Sequence, residues 1–161
     1  VIMIERIFDP GVVNAVSNHW SIYPSICAGS KEPLDATPFM IDPRNVYLAG
    51  EFGIAIFHHI DDGQYEAHYR VLPQGRGKWA RGMLYAALEW MFTHDEVKEI
   101  RCRVPRGNYP CRAIVRNICA QFVCTVPNGW VDEDGNVIEA DIYSMPRERW
   151  SALVSSTVTS H

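Results

Sequence analysis

The sequence predicts an α/β domain of the α+β kind: a mixed central sheet that begins as an antiparallel meander, with helices packed on it. Three observations carry this. Two β-rich stretches, 53–59 and 65–72, flank the turn signal Asp61-Asp62-Gly63, which is the pattern of an antiparallel hairpin. A glycine-rich basic loop then leads into a stretch with Leu84, Ala87, Leu88, Met91 and Phe92 on one helical face. A further stretch, 97–104, alternates apolar and polar residues, and a crossover helix between two strands makes them parallel neighbours.

Taken in order, Asp9-Pro10 starts a first helix, because aspartate caps and proline suits the first helical position. Val12, Val13, Val16 and Trp20 give that helix an apolar face. The segment 23–43 holds four prolines and is expected to be loop with at most a short helix. Residues 46–49 form a short strand, and Pro73 stops the strand 65–72. The helix runs from Trp79 to about Thr93, and Val97, Cys102 and Val104 point inward from the next strand. A loop at 105–110, a helix at 111–120 and a strand at 122–126 follow. Asp132-Glu133-Asp134-Gly135 turns the chain into a last strand, 137–145. One domain is expected over 1–153, with a flexible tail at 154–161.

With 161 residues, 47% hydrophobic and 21% charged, the chain can bury one core and is not of disordered composition. The net charge of -4 gives no global field for nucleic acid. Arg101, Arg103, Arg106, Arg112 and Arg116 form a local basic stretch, read as a solvated strand end and helix face or else as a site for a phosphate-bearing cofactor. The five cysteines include no C-x-x-C pair, which argues against a disulfide framework or zinc site. No apolar run approaches the roughly 20 residues of a membrane span, so a cytoplasmic protein is expected. His58 and His59 are adjacent in a strand, point to opposite faces and are read as structural.

The loop Gln74-Gly75-Arg76-Gly77-Lys78 joins a strand to a helix. It therefore sets unsatisfied backbone N–H groups and the positive end of a helix dipole at one point, an arrangement that attracts phosphate. Arg76 and Lys78 add charge, and a tight surface turn is the plain alternative. No G-K-[ST] occurs, so this is not a Walker loop. The glycine spacing does not fit a dinucleotide-binding fingerprint either.

The stretch Val71-Leu72-Pro73-Gln74-Gly75-Arg76-Gly77-Lys78-Trp79-Ala80 resembles the acetyl-CoA signature of the GNAT acetyltransferases. In that family a strand ending V-x-P leads through Q/R-x-x-G-x-G/A into a long amphipathic helix. Gln74, Gly77 and Ala80 stand at the spaced positions, with one extra residue before the alanine. The resemblance continues through Leu88-Glu89-Trp90, Arg103-Val104-Pro105, Asn108, the 111–122 stretch and Arg147-Glu148-Arg149-Trp150, and covers roughly residues 46–150. It is nearest in look to the ribosomal-protein acetyltransferases and to phage-encoded GNAT-like proteins.

The resemblance implies a GNAT fold with a splayed parallel strand pair, and acetyl transfer from acetyl-CoA to an amine. It puts the pyrophosphate on the backbone of Gly75, Arg76, Gly77, Lys78, Trp79 and Ala80. The pantetheine arm would run along the strand edge at Val71 and Leu72, with Gln74 and Asn108 contributing. A backbone N–H near Val71 would polarise the thioester carbonyl. Glu66, His68 and Arg70 share one strand face, which makes Glu66 and His68 the candidate bases. The family's fourth-helix tyrosine is missing from 111–120, where Asn117 stands about in its place. Tyr143, and secondarily Tyr109, are candidate replacement acids. Gln121 stands where a glycine is usual, as do Trp79 and Arg81 at or beside such positions.

Those departures leave two functions open. One is an acetyl-CoA-dependent N-acetyltransferase with a protein or small-molecule amine as acceptor. The other is a GNAT-fold protein without turnover, similar to phage virion or head-assembly components, working as a homo-oligomer or with an assembly partner. Trp20, Tyr23, Trp79, Trp130 and Trp150 are expected mostly in the core, with any surface cluster marking an interface.

Overall fold

Gly63 shows why the meander closes where it does. Its φ of +70° lies in the left-handed region, and a Cβ there would fall 2.6 Å from the Glu96 carbonyl oxygen. It joins β3 (Gly53–Asp61) to β4 (Gln64–Val71). A computed structural model describes residues 1–158. Its remaining strands are β1 (Glu5–Arg6), β2 (Val46–Gly50), β5 (Glu99–Pro105), β6 (Gln121–Val131) and β7 (Val137–Pro146). The helices are α1 (Pro10–Ser17), α2 (Tyr23–Ile26), α3 (Thr37–Met40), α4 (Lys78–Phe92), α5 (Tyr109–Asn117) and α6 (Arg147–Val158).

The strands form one mixed sheet in the order β1-β2-β3-β4-β5-β7-β6. Only β4 and β5 are parallel, as a helical crossover requires. One face buries Leu48, Ala55, Phe57, Tyr65, Ile100 and Met145 against the apolar stripe of α4 and Trp150 of α6. Side chains such as Phe57 and Leu88 contribute about 1.5–3 kcal/mol each on burial. The opposite face packs Tyr47, Ile54 and Ile56 on Val13 of α1.

Parallel pairing between β4 and β5 covers only Gln64↔Glu99, Tyr65↔Ile100 and Glu66↔Arg101. Beyond that point β4 stays on β3 as far as Val71, while β5 stays on β7 as far as Pro105. Each strand has its other edge satisfied, so the two diverge and leave a V-shaped gap.

Several expectations need correction. α1 is capped by Asp9, whose Oδ1 accepts from the Gly11 N–H at 2.8 Å, but it ends at Ser17. Trp20 lies beyond that end and is exposed, as is Val12, so the apolar face reduces to Val13 and Val16. The expected tail from Val154 is helical as far as Val158. Leu153 anchors it to the core, and its carbonyl accepts from the Ser156 and Thr157 hydroxyls. Residues 159–161 lie outside the described residues. The two-residue β1 gave no pattern to read, and Arg6 holds it through the Pro43 and Asn45 carbonyls. α5 begins before 111, because Asn108 Oδ1 caps it through the Cys111 N–H at 3.1 Å. β6 continues past 126 by bulging between Val126 and Trp130.

Four arginines of the basic stretch meet carboxylates: Arg101 with Glu99, Arg103 with Glu66, Arg106 with Glu139 and Arg112 with Asp141. No helix among the described residues is long and apolar enough to cross a membrane.

Candidate active site

The gap between β4 and β5 opens into a cleft of about 540 Å³. Its walls are the diverging ends of the two strands, and its ends are the loop before α4 and the start of α5. In antiparallel pairing successive N–H groups point to opposite sides of a strand. The Leu72 N–H donates to Phe52 O at 2.8 Å, on the β3 side. The N–H of Val71 therefore points the other way, into the gap.

At one end, Pro73–Gly75 forms a 3-10 turn that spends two N–H groups: Gly75 donates to Leu72 O and Arg76 to Pro73 O. Gly77 then takes φ +91° with open space where a Cβ would stand. The first α4 bond to reach back is Arg81 N–H to Gly77 O, and no side chain caps the helix. The N–H groups of Gly77, Lys78, Trp79 and Ala80 thus have no protein partner among the described residues. Of the backbone expected to meet phosphate, residues 75–80, the N–H groups of Gly75 and Arg76 are spent within the loop and those of residues 77–80 are not.

Val71, Arg76, Gly77, Ala80 and Asn108 line the cleft, whereas Leu72, Gln74, Gly75, Lys78 and Trp79 do not. Gly75 is buried because a Cβ there would meet Phe52 Cβ at 2.5 Å and the Trp79 ring at 2.8 Å. The Trp79 indole turns toward Gly50, Phe52 and Met83, so it packs the β2–β3 turn and leaves the cleft open. Asn108 spends its Oδ1 on the α5 cap, which leaves its amide N–H groups to face a ligand.

Glu66, His68 and Arg70 project together from the α1 face of β4 and line the cleft. Glu66 pairs with Arg103, at 3.3 Å between Oε1 and Nε. Burial, with His58, Arg70 and Arg103 nearby, holds the His68 imidazole down at about 4, so it is neutral at pH 7. His58 lies beside it, ring centroids 5.0 Å apart, and shares a hydrogen bond with the Tyr47 hydroxyl at 3.1 Å. Neither histidine belongs to a metal cluster, and no such cluster occurs among the described residues.

On the α4 and α5 face, Tyr143 packs on Val104 and Val115 and lines the cleft. Asn117 is exposed and does not line it. Tyr109 is also exposed and lies under the Arg112 guanidinium. Cys102 lines the cleft as well, but burial pushes its thiol up to about 12, which makes it a poor nucleophile.

Ser25 and Ile26 of α2 and Trp130 of β6 complete the walls; they lie in the proline-rich 23–43 segment and the late hairpin, the two segments expected from the sequence to form the acceptor groove, although no single residue of them was singled out. The loop after α2 meets the β6–β7 turn so closely that a Cβ on Gly29 would fall 2.7 Å from Gly135 Cα. No local pattern announces a contact between segments so far apart in the chain.

No family model matches the sequence, and no curated protein sequence matches it. Solved structures do match. A spermidine N-acetyltransferase from Vibrio cholerae, in complex with CoA and spermine, aligns with a TM-score of 0.76 at 14% identity over 93% of this chain and 98% of its own. A mutant form of the Vibrio cholerae spermidine/spermine N-acetyltransferase gives 0.76 at 13% identity, over 94% and 96%. A chimera of the Vibrio cholerae and human enzymes gives 0.73 at 16%, over 94% and 98%. Likeness over nearly whole chains at such identities establishes architecture: this chain has the GNAT fold.

Proposed function

We propose that the chain is an acetyl-CoA-dependent N-acetyltransferase that acts on an amine of a protein or small molecule. The observation that carries this is the divergence of β4 from β5 beside the uncapped N-terminus of α4. A pyrophosphate fits the four free N–H groups of residues 77–80, with Arg76 beside them. The pantetheine arm then fits the gap between the strands, where β4 offers backbone groups that no strand uses. The structural neighbours act on spermidine, and one was crystallised with CoA.

In this reading the amine attacks the thioester carbonyl, forming the C–N bond while the C–S bond breaks. The Val71 N–H polarises the carbonyl oxygen as charge develops there. Glu66, the anionic group on that wall, takes the amine proton directly or through water. His68 is too weakly basic for that task and serves as a neutral hydrogen-bonding group. Tyr143 donates the proton that the leaving thiolate needs.

Calorimetry with acetyl-CoA tests the reading. Micromolar binding that Gly77→Glu abolishes, in a variant with unchanged circular dichroism, is the expected result. Unchanged affinity in that variant sinks the loop assignment. No binding by the wild type at millimolar ligand sinks the enzyme, and the fold then serves assembly or partner binding.

A further inference from the structure

We infer that the acceptor amine carries a carboxylate, which Arg70 receives on the α1 side of the cleft. The inference rests on the acetyltransferase reading above and specifies its second substrate.

Arg70 stands apart from the other arginines around it. Arg101, Arg103 and Arg112 each face a carboxylate. Arg147 donates to the Phe92, His94 and Val97 carbonyls. Among the described residues Arg70 has one hydrogen-bond partner, the hydroxyl of Ser17, which accepts from Nη1. Ser17 is buried and donates its own proton to Val13 O at 2.7 Å, so the hydroxyl is oriented to accept. Arg70 Nε is shut off from solvent and has no partner, and Nη2 has no protein partner among the described residues. Arg6 and Arg112 also leave Nε unpaired, but they reach backbone carbonyls and a carboxylate respectively.

A guanidinium taken out of water without a counter-charge is costly. The uncompensated cation here sits on the wall of the cleft, four residues along β4 from Glu66 and on the same face, with His68 between them. Ser17 fixes one end of the fork. Nε is walled in, so Nη2, which has no protein partner among the described residues, is the donor left for a carboxylate oxygen, with the full charge of the guanidinium behind it. The surroundings agree in sign. Of the four arginines that line the cleft, Arg101 is met by Glu99 and Arg103 by Glu66, which leaves Arg70 and Arg76 without a carboxylate, and His68 adds no negative charge. A polycation such as the spermine held by the structural neighbour would be repelled by that lining. An amino acid or a short acidic amine would instead set its carboxylate on Arg70 and its nitrogen toward Glu66.

The experiment compares phenylalanine, phenylalaninamide and spermidine as acceptors at saturating acetyl-CoA, and titrates each alone into the protein by calorimetry. The amide has the less basic amine, so chemistry alone favours it over the acid. We expect kcat/KM and affinity to favour the acid instead, with spermidine the poorest of the three. Arg70→Gln should cut the acid-to-amide ratio roughly ten- to a hundredfold while acetyl-CoA affinity is kept. Arg70→Lys should restore part of the ratio through charge alone. Turnover of amines with no preference for the acid, or an acid-to-amide ratio that survives Arg70→Gln, overturns the inference and leaves the acetyltransferase reading standing. Binding of the acid lost in Arg70→Gln, in a protein that does not bind acetyl-CoA, has the opposite meaning: the anion subsite holds and the enzyme reading fails. If the wild type binds neither acid nor acetyl-CoA, both fall.

Discussion

Glu66 on β4 and Arg103 on β5 face each other across the cleft, with Arg103 Nε 3.3 Å from Glu66 Oε1. Glu66 belongs to the last rung of parallel pairing, Glu66↔Arg101, and Arg103 lies two residues beyond it on β5. Arg103 is thus turned toward the opposite strand at the point where the ladder gives out. Both side chains are partly exposed, so the pair adds little to stability, about 0–1 kcal/mol. Its interest is chemical: it holds a carboxylate in place over the cleft.

The first prediction follows from that placement. Glu66→Gln keeps the shape and removes the carboxylate proposed as the base. Acetyl transfer should fall about 10²–10⁴-fold, while acetyl-CoA affinity stays within error. Steady-state kinetics beside calorimetry would decide it, and near-normal kcat in the variant would remove Glu66 from the mechanism.

A second prediction concerns the leaving group. Tyr143→Phe should lower kcat about 10²-fold or more without changing the affinity for acetyl-CoA. Packing on Val104 and Val115 is kept by phenylalanine, so the melting temperature should hardly move. A full-rate variant would mean that the thiolate takes its proton from water.

His68 supplies a pH test. Its ordinary value is 6.5, and burial, with His58, Arg70 and Arg103 nearby, holds it at about 4 in the folded chain. Between those values the unfolded chain binds a proton that the folded chain refuses. This contribution to stability is therefore complete above 6.5 and is lost as the pH falls toward 4. Because the ring is only partly buried, the loss should reach at most ~3 kcal/mol. Urea unfolding at several pH values, for the wild type and His68→Gln, measures it: the variant should lack this part of the slope. Parallel curves for the two proteins would refute the buried-neutral assignment.

Trp79 separates packing from binding. Its ring fills the space beside Gly50, Phe52 and Met83 and does not line the cleft. Trp79→Ala should cost roughly 2–3 kcal/mol, somewhat less than a fully buried tryptophan. Acetyl-CoA binding should persist in the folded variant. An unaltered melting temperature with lost binding would place the indole at the ligand after all.

Much of this was legible in the chain. The 3.6-residue stripe from Leu84 to Phe92 and the Asp61-Asp62-Gly63 turn each report a local physical demand, one on burial and one on backbone conformation. The period of two along a strand puts Glu66, His68 and Arg70 on a common face. Trp20 misled because helical spacing was continued past Ser17, where the chain leaves the helix. The tail misled because its exposed residues gave no apolar stripe, while Trp150 and Leu153 at its root did the anchoring.

Local pattern in the chain sets the order of strands and helices, the glycine loop ahead of the long helix and the face shared by three polar residues. All of these depend on neighbours within a few positions. Long-range packing is what makes β4 and β5 part after Glu66, swings the Trp79 indole away from the cleft, and brings Ser17 to Arg70 from 53 residues away. Such contacts join segments with no common period, and they are chosen by which edges and charges remain unsatisfied once the sheet has formed.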